Sequence, residues 1–152
     1  MRLYLARHGE AGQAASDAER SLTLRGISET RAVFRSVASR ISEPLTSLIS
    51  SPLLRARQTA DIALELLPCA TDSVSISDKL LPSSSPQKIV DLVFGFQFPV
   101  MLVFHQPVMG ELLGWLTGDE YLRYGVATSS LYALDLFAPG QGCAELHWQS
   151  TA

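Results

Sequence analysis

Lysine is nearly missing from this chain of 152 residues: Lys79 and Lys88 stand against ten arginines. Arginine's planar fork suits bidentate binding of phosphate or carboxylate, although GC-rich coding and ordinary surface pairing produce the same bias. Cysteine is scarce too. Cys69 and Cys143 lie far apart with no Cys-x-x-Cys spacing, which excludes a zinc ribbon and a disulfide framework and fits a reducing, cytoplasmic setting. An excess of positive charge is also lacking, since 12 basic residues face 15 acidic ones for a net charge of -3. No nucleic-acid partner is therefore expected. Long apolar runs are absent as well. The greasiest stretch, Leu92 to Phe104, is broken by Gly95, Gln97 and Pro99, well short of the ~20 residues that span a bilayer. Met1 to Ala6 is too short an apolar start for a signal peptide, so neither a membrane partner nor export is expected.

What remains is 47% apolar and 18% charged, enough to bury a core without metal or disulfide staples. At roughly 150 residues per domain, the expectation is one domain over residues 1–152. No internal repeat interrupts it, and the only biased tract is Ser83, Ser84 and Ser85.

Short apolar runs alternate with helical periods along the chain. Arg2 to Ala6 reads as a strand stopped by Arg7-His8-Gly9, and Gly12 to Ser21 as a loop. Thr23 is placed to cap a helix whose Ile27, Phe34, Val37, Ala38 and Ile41 form a stripe, with Gly26 where a capping box would have Glu. Thr46 to Ser50 makes a second strand. Ser51-Pro52 then supplies a cap and a proline at the first position of a helix striped by Leu53, Ala56, Ala60, Ala63 and Leu67. Ser73 to Ser77 is a weak strand, Pro86 to Val93 a short helix and Pro99 to Phe104 a buried strand. His105-Gln106-Pro107 opens a further helix through Leu116. Ser130 to Phe137 and Ala144 to Trp148 alternate across a Pro139-Gly140-Gln141-Gly142 turn, as a hairpin would. The order predicts an α/β fold, with a mostly parallel central sheet, helices on both faces and an antiparallel edge hairpin.

In such a fold ligands sit beyond the carboxyl ends of the strands. Reading off those positions gives Arg7, His8, Arg55 and His105. Two arginines and two histidines on one edge repel one another when empty, and become sensible once a dense anion such as a phosphoryl group lies among them. The helix expected from Pro52 would add free N–H groups and a positive dipole end, and His105 could donate once protonated.

These residues sit in segments that resemble the histidine phosphatases, the phosphoglycerate mutase-like superfamily. Arg7-His8-Gly9-Glu10 is similar to its Arg-His-Gly signature. Ser51-Pro52-Leu53-Leu54-Arg55-Ala56-Arg57-Gln58-Thr59-Ala60 resembles its Ser-Pro-x-x-Arg-Ala-x-Gln-Thr segment, Phe104-His105 its second histidine, and Leu22-Thr23-x-x-Gly26 is also typical. The short length, Asp17-x-x-Arg20-x-Leu22-Thr23 and His105-x-Pro107 look most like the SixA-type phosphohistidine phosphatases. The resemblance implies a phosphatase whose nucleophile is His8, forming a phosphohistidine that water hydrolyses. Arg7, Arg55 and His105 would bind the phosphoryl group, joined by Arg20, for which a solvated loop position is the equal alternative. No cofactor and no metal are expected, because positioning and charge neutralisation carry phosphoryl transfer.

Larger relatives carry a proton donor after the third strand, where Leu80 to Ser85 here has no carboxylate. An alkoxide leaving group needs that acid far more than an imidazole does, so the expected substrate is phosphohistidine on a protein, such as a histidine-phosphotransfer domain. A small-molecule phosphomonoesterase and a non-catalytic phosphoprotein-binding module are the alternatives. Glu10 reads as structural or orienting, Arg57 as a surface charge and His147 as structural, while Ser129 and Ser130 either line the site or begin a strand.

Overall fold

The computed structural model describes residues 1–152. Ten main elements follow one another: β1 (Arg2–Arg7), α1 (Leu24–Val37), β2 (Ser47–Ser50), α2 (Leu54–Leu66), β3 (Ser75–Ile76), α3 (Pro86–Val93), β4 (Val100–Phe104), α4 (Val108–Thr117), β5 (Leu131–Leu136) and β6 (Ala144–Ser150). The strands form one sheet in the order β3-β2-β4-β1-β5-β6. The first four in that order run parallel, β5 runs antiparallel to β1, and β6 completes the edge hairpin antiparallel to β5.

Alternation along the strands builds two cores, one on each face, because successive side chains point to opposite sides. Leu3 and Leu5 of β1, Leu102 and Phe104 of β4, and Leu134 of β5 pack with Ile89 of α3 and Leu112 of α4. Their neighbours Tyr4, Ala6, Met101, Val103 and Ala133 pack on the other side with Phe34 of α1 and Ala60 of α2. The α/β architecture with helices on both faces is thus the one the sequence predicts.

Local boundaries differ in places. Thr23 caps α1 as expected, its Oγ1 accepting the Gly26 N–H at 2.9 Å, whereas α2 does not begin at Pro52. It starts at Leu54, and the cap position is Leu53, without a side-chain bond. The Ser51 hydroxyl is shared: its oxygen accepts the Leu53 N–H at 3.2 Å and also lies 2.5 Å from His105 Nε2. The third strand shrinks to two residues, and β6 runs on to Ser150. Residues Asp17–Glu19 of the expected loop form a short 3-10 turn, and α4 opens one residue after Pro107.

Candidate active site

His8 leaves the end of β1 held from both sides by backbone. Its N–H donates to the Phe104 carbonyl at 3.2 Å and its carbonyl accepts from Ser129 N at 3.1 Å. Ser129 adopts a left-handed φ of 59° there, and its buried hydroxyl is paired with Thr30 Oγ1 at 2.9 Å. The Ser130 hydroxyl turns back to the Ala127 carbonyl at 2.6 Å. Both serines therefore hold the strand entry together. The next residue, Gly9, donates its N–H to Thr59 Oγ1 at 3.1 Å, and Thr59 donates onward to the Arg55 carbonyl at 2.8 Å. α1 also presses against this turn so closely that a Cβ on Gly26 would stand 2.2 Å from the Glu10 carbonyl oxygen. The glycine that looked misplaced in a capping box is required by this close approach of backbones.

The two histidine rings lie 4.9 Å apart between centroids and are tilted by 50°. His8 Nδ1 is 2.7 Å from the Gly9 carbonyl oxygen, so Nδ1 carries the hydrogen and Nε2 keeps a free lone pair. Both side chains are buried, with 9% of His8 and 1% of His105 left exposed. Burial pushes the His8 pKa down to about 4, opposed by the Gly9 bond and reinforced by the charges of Arg55, Arg7 and Arg20. His105 is pushed down to about 3, by burial first and then by His8, Arg55 and Arg7, with Asp17 opposing. At neutral pH the empty site therefore holds two neutral imidazoles among cations.

Arg7 donates from Nη1 to the Val126 carbonyl at 2.6 Å, while its buried Nε has no partner. His105 Nδ1 is likewise buried and unpaired. Unmade bonds of this kind are expensive, and two among the four strand-end residues fit groups kept free for a ligand. Arg55 is 5% exposed and is met by Asp17, whose backbone oxygen accepts from Nη1 at 2.8 Å and whose Oδ2 accepts from Nη2 at 3.2 Å. Asp17 Oδ1 also takes Arg20 Nη1 at 3.2 Å, and Arg20 Nε donates to the Gly12 carbonyl at 2.8 Å. The Arg55 bond, helped by Arg20, holds the Asp17 carboxyl below its ordinary range. Arg7, His8, Arg55 and His105 thus share one edge, and Arg20 reaches it through Asp17.

These features meet in one protein lineage: the model of the Histidine phosphatase superfamily (branch 1) matches residues 3–80. The chain belongs to that superfamily and is a phosphatase. An uncharacterised protein of Picosynechococcus sp. is 33% identical to it over 120 residues, covering 73% of this chain and 70% of the other. The structure of the protein histidine phosphatase SixA complexed with tungstate superimposes with a TM-score of 0.87 at 26% identity, covering 99% of this chain and 97% of that one. A protein called SixA from Agrobacterium tumefaciens gives 0.81 at 26% identity, with the same coverage. The phosphatase is thus of the SixA type.

Several contacts of the phosphatase escape sequence reasoning. Ser51, a cap in the sequence reading, accepts the Leu53 N–H and also faces His105, and the resemblance to a Ser-Pro segment is the available signal for that second contact. Asp17, a loop residue by its sequence context, forms the bridge between Arg20 and Arg55. Glu10 accepts from Thr23 Oγ1 at 2.9 Å, in keeping with a structural part. Arg57 is exposed, and His147 stands 3.7 Å from Asp135 on the far hairpin. None of the four surface pockets is lined by Arg7, His8, Arg55 or His105. One concavity, formed by Gln106, Pro107, Glu111, Arg123, Tyr124 and Gly125, adjoins His105 in the chain. No helix is long and apolar enough to cross a membrane.

Proposed function

We propose that this phosphatase removes the phosphoryl group from phosphohistidine carried on a partner protein. The observation that carries the reading is the state of Asp17. It is the carboxylate bonded to the arginines of the cluster, and Arg55 and Arg20 keep it ionised, so it has no proton to give a leaving group. Sequence adds that no carboxylate lies between Asp78 and Asp91. An alkoxide expelled at such a site would leave unprotonated, whereas an imidazole leaving group needs little help. The likeness to SixA supports the same substrate class.

In this reading His8 Nε2 attacks phosphorus in line. The P–N bond to the substrate imidazole breaks, and the released imidazole takes its proton from solvent. Water then attacks the phosphohistidine on His8, restoring the ring and releasing inorganic phosphate. Arg7 and Arg55 neutralise the equatorial oxygens, His105 donates to one of them, and Arg20 reinforces the positive field. The concavity beside His105 favours a second reading, hydrolysis of a small phosphomonoester. The two are separated by comparing kcat/KM for a phosphohistidine-bearing protein, an aryl phosphate and an alkyl phosphate. A missing acid costs about 10²- to 10⁴-fold on alkyl esters, so the phosphohistidine protein should lead, with the aryl ester intermediate. Equal rates on the alkyl ester would overturn the proposal.

A further inference from the structure

We infer that Ser51 is a positioning residue that holds neutral His105 in the tautomer with hydrogen on Nδ1, so that an unprotonated ring can donate a hydrogen bond to a phosphoryl oxygen. The inference rests on the reading above, in which His105 faces the phosphoryl group. It follows from counting hydrogens around two fully buried side chains, Ser51 at 0% and His105 at 1% exposure.

The Ser51 hydroxyl has two neighbours. Its oxygen accepts the Leu53 N–H at 3.2 Å and lies 2.5 Å from His105 Nε2. If Nε2 carried the ring hydrogen, it would donate to Ser51, and the serine's own hydroxyl hydrogen would then have no acceptor. His105 Nδ1 would remain unpaired as well, leaving two buried polar groups unsatisfied. If the serine hydroxyl donates to a bare Nε2, both of its neighbours are satisfied, and only Nδ1–H is left over. The second arrangement leaves fewer buried groups unmade and is therefore favoured. Its one unspent donor is the group an anion would use.

The two histidines then divide their work by what the other ring nitrogen meets. In His8 the Gly9 carbonyl takes the Nδ1 hydrogen at 2.7 Å and frees a lone pair on Nε2. In His105 the Ser51 hydroxyl fills the Nε2 lone pair and frees a hydrogen on Nδ1. One ring becomes a nucleophile and its neighbour a donor, with no need for His105 to be an imidazolium before the substrate arrives.

The experiment is nitrogen-15 NMR of the histidine rings in the full-length wild type and in Ser51→Ala and Ser51→Thr, with orthovanadate affinity measured alongside. Wild type should show His105 with hydrogen on Nδ1 and a bare Nε2. Ser51→Ala should lose that preference and bind orthovanadate roughly 10- to 100-fold more weakly, the worth of a hydrogen bond to a charged group. Ser51→Thr, which keeps the hydroxyl, should restore both. In a His105→Ala background, Ser51→Ala should cause no further loss. The inference is overturned if wild-type His105 carries hydrogen on Nε2, or if Ser51→Ala leaves the tautomer unchanged. It is also overturned if the tautomer changes and orthovanadate affinity does not. Failure of orthovanadate to perturb either histidine in the wild type would instead sink the placement of the phosphoryl site itself.

Discussion

Acid should unfold this protein more steeply than its carboxylates alone would dictate, because His8 and His105 are buried as neutral rings. In the folded chain burial and nearby guanidinium charges push them down to about 4 and about 3, against an ordinary value of 6.5. Between about pH 6.5 and those lower values, the unfolded chain takes up protons that the folded chain refuses, so stability falls as pH falls. Above that window the rings are neutral in both states and contribute no pH dependence. From pH 7 to pH 5 each ring accounts for a loss of about 2 kcal/mol, or about 4 kcal/mol for the pair. That is a large fraction of the roughly 5–15 kcal/mol that holds a domain folded. Urea unfolding at pH 7, 6 and 5 of wild type and of a His8→Gln/His105→Gln double variant isolates the effect, since the carboxylates are common to both. Wild type should lose about 4 kcal/mol more than the variant across the interval. Losses that agree within about 1 kcal/mol would refute the claim that the rings are kept neutral by the fold.

Other perturbations follow from the same geometry. His8→Ala should abolish turnover and the acid-labile phosphate trapped on the enzyme by rapid quenching; retained turnover would remove His8 as nucleophile. Arg55→Lys should lower kcat/KM by about 100-fold or more, because a point charge replaces a fork that serves two oxygens; rates near wild type would reduce Arg55 to a background charge. Gly26→Ala should cost about 3 kcal/mol in denaturant unfolding, since overpacking of this size is absorbed only by moving backbone and its Cβ would stand 2.2 Å from the Glu10 oxygen. A fully stable Gly26→Ala protein would show that α1 can withdraw from the turn without penalty.

The strand-end positions were legible because they need only a short apolar run and its last residue. Arg7, His8 and His105 follow from β1 and β4 in that way, and Arg55 from the turn after β2. What stayed hidden depends on approaches between distant segments. Ser51 satisfies the local rule for a helix cap, and nothing local announces the ring 54 positions later that meets the same hydroxyl. Asp17 sits in a stretch with no periodicity, and only the folded course of Gly12 to Ser21 brings it between two arginines. Gly26 looked like a defect in a capping signal, because the partner that forbids a side chain there lies outside its helix. The weak third strand was legible in kind and too long in extent, two residues being all that pair with β2.

The placement of β1 in the sheet bears on the order of events during synthesis. Leu3 lies opposite Val100 on one side, and Leu5 opposite Tyr132 on the other, so the strand that leads into His8 is made before both of the strands that enclose it. The Phe104 carbonyl that holds the His8 backbone and the Val126 carbonyl that holds Arg7, 119 positions away, are made long after β1. A growing chain therefore displays an Arg-His pair before it has any means of aiming it. Closing such long loops is also slow by comparison with pairing neighbours. Capacity to take up phosphate should accordingly arrive together with β4 and β5, as a single event.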